Sequence, residues 1–215
     1  MDSIDRIATS MQRAFVDVGL TCPTDAGVRE VIGLSLVKVI ERLAPNVNKS
    51  MLEQISDRYR HHFVDASEIP MPMFPYATKM LGSLKQRGYL LAVATGKARR
   101  GLDRVFRDVH CRHLFDATRC ADETESKPHP RMLNELMQEL NVSAEQTLMV
   151  GDTEFDMVMA SNAGVDAVGV SHGVHERQRL LKHQALVCVD SIEQLHDWFH
   201  KLSCQPISTI TRITL

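Results

Sequence analysis

From residue 76 to residue 202, short apolar runs alternate with amphipathic helical stretches, and few architectures accommodate such an alternation. The spacing predicts helix 76–87, strand 89–95, helix 98–107, a short strand near 115–119, helix 130–140, strand 147–151, helix 154–163 and strand 166–170. A weaker strand at 186–189 and a helix at 192–202 complete the series. Strands separated by single helices are joined by crossovers, so they pair in parallel and carry helices on both faces. The expected fold class is therefore α/β, a doubly wound parallel sheet.

The first seventy residues obey a different rule. Ile4, Ile7, Ala8, Met11, Phe15 and Val18 recur at helical spacing, and further helical patterns follow at about 25–31, 35–43 and 48–66, with no strand among them. Pro70, Pro72 and Pro75 then interrupt the chain, because each ring removes a donor and restricts its predecessor. The expected organisation is a helical unit at 1–72, an α/β unit at 73–205 and a C-terminal extension at 206–215.

Composition narrows the function classes. With 44% hydrophobic and 24% charged residues and a formal net charge of -2, the chain is an ordinary globular sequence without the basic block of a polyanion binder. Neither a nucleic-acid nor a membrane partner is expected, and no run approaches the length of a membrane span. Five cysteines without a CxxC pair argue against a disulfide framework or a zinc site, which fits a reducing cytoplasm.

Ligands of open α/β sheets bind where strands end, and three such ends here carry polar chemistry. The run 89–95 ends in Thr95-Gly96-Lys97, where a hydroxyl and the first amides of a helix could hold a phosphate, or Thr95 could merely cap the turn. Lys127 precedes two prolines and a helix, and standing alone it reads as a solvated side chain. The run 147–151 leads into Gly151-Asp152-Thr153-Glu154-Phe155-Asp156, with two carboxylates four residues apart that could face one pocket as hard ligands for magnesium, or simply cap the helix.

Taken together, Thr95, Lys127 and Gly151-Asp152-xxx-Asp156 resemble the second, third and fourth motifs of the haloacid dehalogenase superfamily, in its phosphoglycolate-phosphatase-like branch. The resemblance runs from Asp2 to about Phe199, with the helical segment before Pro70 matching the cap of that branch. It implies a Rossmann-type core and a magnesium-dependent phosphatase acting on a small phosphorylated metabolite. Thr95, Gly96 and Lys127 would hold the phosphoryl group, and Asp152 and Asp156 the Mg2+. Gly151-Asp152 differs from the Glu-Asp common in phosphosugar mutases, and Thr95-Gly96 from the Ser-Asn common in dehalogenases.

The resemblance begins after the superfamily's first motif, an apolar strand ending in Asp-x-Asp-Gly-Thr, and residues 1–215 contain no such strand. Its first aspartate is the nucleophile and its second the general acid, so the chain as written is expected to be inactive, with Met1 an internal methionine or the gene product shortened. The missing strand would lie mid-sheet, where five buried side chains stabilise by roughly 10 kcal/mol. A silent binding or interaction module is the alternative function.

The tail 207–215 is β-branched and reads as a strand. Ser208, three threonines and Arg212 make it too polar for the vacant central slot, so it is expected at a sheet edge or frayed, with the slot empty. His196 and His200 stand at i,i+4 but lack the HExxH glutamate, and an amphipathic helix face explains them. His110, Cys111, His113 and Cys120 fit no common zinc spacing, while His172 and His175 follow the run 166–170 near the expected pocket and could touch substrate, or belong to an ordinary polar loop.

Overall fold

The computed structural model describes residues 1–203 and 212–214, and the chain divides into two compact units, Met1–Pro72 and Met73–Leu215. The first unit holds α1 (Ile4–Asp17), α2 (Asp25–Arg29), α3 (Leu36–Leu43) and α4 (Lys49–Arg60), the last running into a π-helical turn at His61–Asp65. Three starts are capped by side chains: Thr24 accepts from the Gly27 amide, Ser35 from Lys38 and Asn48 from Met51. Such caps satisfy amides the helix itself leaves open. Met11, Phe15, Val28, Ile40 and Ile55 are buried. Arg6 is buried with them, and its guanidinium donates to the Phe63 and Ile69 carbonyls while lying over the Phe63 ring.

The second unit runs α5 (Ala77–Gln86), β1 (Leu90–Thr95), α6 (Arg99–Val109), β2 (Ala117–Cys120), α7 (Arg131–Leu140) and β3 (Thr147–Gly151). It continues with α8 (Glu154–Asn162), β4 (Asp166–Val170), α9 (Arg177–Lys182), β5 (Val187–Val189), α10 (Ile192–Ser203) and β6 (Arg212–Thr214). All six strands pair in parallel, in the order β2-β1-β6-β3-β4-β5. Alternate strand residues enter opposite layers, as the pleat requires. Ala92 and Met149 pack with Met132, Leu136 and Met157 on one face, whereas Leu91, Leu148 and Val150 pack with Met80, Leu84, Leu195 and Phe199 on the other. This is the doubly wound sheet that the alternation predicts. Among the described residues no helix is long and apolar enough to cross a membrane.

The expectation of an empty central slot is overturned. Arg212–Thr214 lies in it, paired with Leu90–Ala92 on one side and Thr147–Met149 on the other. The polarity of the tail weighed side chains alone, whereas β1 and β3 each present an inner row of backbone donors and acceptors that only a strand between them can satisfy. The remainder of the tail, 207–211 and Leu215, falls outside the described residues.

Candidate functional site

β3 is buried along its whole length and delivers Asp152 at its carboxyl end, with Thr153 as the N-cap of α8. Thr153 and Asp156 close a reciprocal box: the Thr153 hydroxyl accepts from the Asp156 amide, and Asp156 Oδ2 accepts from the Thr153 amide at 3.0 Å and hydroxyl at 2.7 Å. The other oxygen, Asp156 Oδ1, accepts from Lys127 Nζ at 2.5 Å, and both side chains of this ion pair are buried. Lys127 arrives from the connection between β2 and α7, so two crossovers converge on one carboxylate.

Asp152 is held by the loop that leaves β4. Val174 donates its amide to Asp152 Oδ2 at 3.1 Å, and the His175 amide donates to the Asp152 carbonyl at 2.9 Å. The buried His175 also accepts the Glu154 amide on Nδ1 at 2.9 Å, which leaves its ring proton on Nε2. Burial pushes the Asp152 carboxyl up to about 6, with the Asp156 charge adding to the rise and the Val174 amide and Lys127 opposing it. A carboxylate so placed gains from a further cation.

Two glycines make room for the two carboxylates. A Cβ on Gly151 would overlap the Asp156 side chain, and one on Gly173 would overlap the Asp152 carboxylate. Gly151 stands within a motif the sequence reveals. Gly173 does not, since its contact with Asp152 spans the whole of α8 and β4; a glycine between the two loop histidines was its only local mark.

Thr95 ends β1, and its hydroxyl accepts from the Lys97 amide at 3.1 Å across Gly96. Leu90 and Thr147 share Arg212 as partner, so five residues further along each strand Thr95 stands level with Asp152. Two strand spacings separate them, about 10 Å. Lys127, Asp152 and Asp156 thus form one cluster, with Thr95 and Gly96 across the same sheet end. Cys111 and Cys120 are packed with Leu102 and Phe106, and burial pushes the Cys120 thiol up to about 12.

Among the described residues no group of three His, Cys, Asp or Glu side chains is arranged to hold a metal ion. The donor set at the strand end nevertheless suits Mg2+, which is commonly bound by one or two carboxylates, with water and substrate phosphate completing its octahedron. Asp152 offers such a carboxylate; both oxygens of Asp156 are engaged.

Residues 1–170 match the family described as haloacid dehalogenase-like hydrolase. A protein of Dickeya dadantii named "Probable phosphatase IndB" is 31% identical, over 97% of this chain and 94% of its own length. A Vibrio cholerae protein named "Phosphoglycolate phosphatase" is 27% identical, over 91% of this chain and 90% of its own. The crystal structure of a hydrolase from Pseudomonas syringae superposes with a TM-score of 0.83 at 16% identity, covering 94% of this chain and 93% of that one, a likeness of fold.

Proposed function

Because this chain belongs to the haloacid dehalogenase-like hydrolases, we propose that it is built to bind the phosphoryl group of a small phosphorylated metabolite, phosphoglycolate-like, as a magnesium-dependent phosphatase does. The observation that carries this reading is the buried Lys127–Asp156 pair beside Asp152 at the carboxyl end of β3. Lys127 supplies positive charge where a phosphoryl oxygen would sit, and Asp156 acts by fixing the ammonium in place. Asp152 would hold Mg2+, which when bound neutralises phosphoryl charge. Thr95 and Gly96 offer a hydroxyl and an amide from the neighbouring crossover, so the phosphoryl group is gripped from two sides of the sheet end. Positioning and charge neutralisation are most of what phosphoryl transfer asks of a protein.

The nucleophile is a separate matter. No apolar strand ending in Asp-x-Asp occurs in residues 1–215, so the 215-residue polypeptide binds phosphate without turning over a phosphomonoester. With p-nitrophenyl phosphate and Mg2+ it should release no product above background, while calorimetry should register orthophosphate binding that the Lys127→Ala/Asp156→Asn double variant lacks. Turnover at an ordinary enzyme's rate that co-purifies with the chain would refute the first statement; unchanged orthophosphate affinity in the double variant would refute the second.

One observation favours a second reading, a silent binding module of the same fold: β6 occupies the middle of the sheet, between the two strands that lead to Thr95 and Asp152. Fusing an apolar strand ending in Asp-x-Asp-Gly-Thr ahead of Met1 separates the readings, since only the enzyme reading expects the fusion to gain turnover.

A further inference from the structure

α10 carries two imidazoles one turn apart, His196 and His200, the second in its last turn. Their Nε2 atoms face each other at 3.1 Å, with the rings edge to face and their centroids 4.4 Å apart. Ser83 Oγ, from the neighbouring α5, lies 3.4 Å from the same His196 nitrogen. A neutral imidazole has one N–H and one lone pair, so two facing Nε2 atoms either share a proton or turn both lone pairs on one ion. Nitrogens bound to zinc at about 2.0–2.1 Å are about 3.3 Å apart in a tetrahedron, and about 2.9 Å apart at the right angle of an octahedron. The observed separation falls between the two.

We propose that His196 and His200 form a two-point site for one divalent d-block cation of the Zn2+ or Ni2+ class, completed by water, with the Ser83 hydroxyl as an adjoining oxygen donor. Imidazole pairs select such ions over Mg2+, which demands oxygen ligands, so this site is chemically distinct from Asp152. It is also remote from it. A helix that follows a parallel strand runs back along the sheet, which carries the far end of α10 away from the strand ends that bear the phosphoryl residues.

The surroundings permit the assignment. His200 is exposed, giving the ion an entrance. Burial, then the charge of His200, lowers the pKa of His196. Asp197 on the same helix acts the other way on His196 and attracts a cation; Lys79 of α5 and Arg87 just beyond it oppose one. His200 stands in the last turn of α10, and the carboxyl end of a helix favours positive charge nearby. Chelation across i,i+4 fixes the helical spacing of the two residues, so the bound ion fastens the end of α10.

The test is a calorimetric titration of the full 215-residue chain with Zn2+ at about pH 7.5, in excess Mg2+. One Zn2+ equivalent should bind in the wild type, vanish in His200→Ala, and survive in His61→Ala and Asp152→Asn. His200→Cys should keep it, because a thiolate replaces the imidazole. Zn2+ should raise the thermal midpoint of the wild type and leave that of His200→Ala unmoved. An isotherm unchanged by His200→Ala, or a wild-type chain that binds no Zn2+, overturns the proposal.

Discussion

At the scale of single residues, the Lys127–Asp156 ion pair is closed at 2.5 Å with both side chains buried. Removing one partner of such a pair strands the other charge in low dielectric, which costs about 3–5 kcal/mol. Lys127→Met should therefore unfold at clearly lower urea, and Asp156→Asn added to it should recover part of the loss, a coupling that a double-mutant cycle reads directly. Additive effects of the two changes would contradict the pairing.

Asp152 gives a second, signed prediction. Its folded pKa of about 6 lies above the usual carboxylate value, so between about pH 4 and 6 the folded state binds more protons than the unfolded one and stability falls as pH rises. The penalty is absent below that window and complete above it, on the order of 3 kcal/mol. Asp152→Asn should then be more thermostable than wild type at pH 7, with the advantage gone near pH 4; a gap constant across that range would contradict it. The spacing of Asp152 and Asp156 is legible in the sequence because four residues make one helical turn. Val174, Gly173 and His175 were not legible as the holders of Asp152, because they reach it only through the pairing of β3 with β4.

At the scale of elements, the sequence is read most easily where a strand is buried on both faces. The runs 147–151 and 166–170 coincide with β3 and β4, whose side chains are apolar throughout or nearly so. β6 shows the limit of such reading. Its β-branched residues mark a strand, but side-chain polarity pointed it to an edge, while the backbone edges of two distant segments draw it to the centre. Those edges exist only once β1 and β3 are folded, so no local window contains them. Ile213→Pro should break this ladder, because proline has no amide to give. Amide exchange within 90–92 and 147–149 should then quicken about tenfold or more, on the loss of one or two bonds worth ~1 kcal/mol each. Unaltered protection there would show that β6 contributes nothing to the sheet.

At the scale of the whole molecule, the strand order has a bearing on synthesis. Of the six described strands β6 is the last to leave the ribosome, yet it joins the two halves of the sheet, β2-β1 and β3-β4-β5. Until it emerges, each half carries a bare edge of unpaired backbone on its inner side, the kind of edge through which chains associate wrongly. The closing contact links residues 90 and 212, a long-range step whose closure cost grows with the logarithm of the loop and which slows folding accordingly. In a nascent chain of this design the exposure to wrong association therefore ends only when residues 212–214 are made and join β1 to β3.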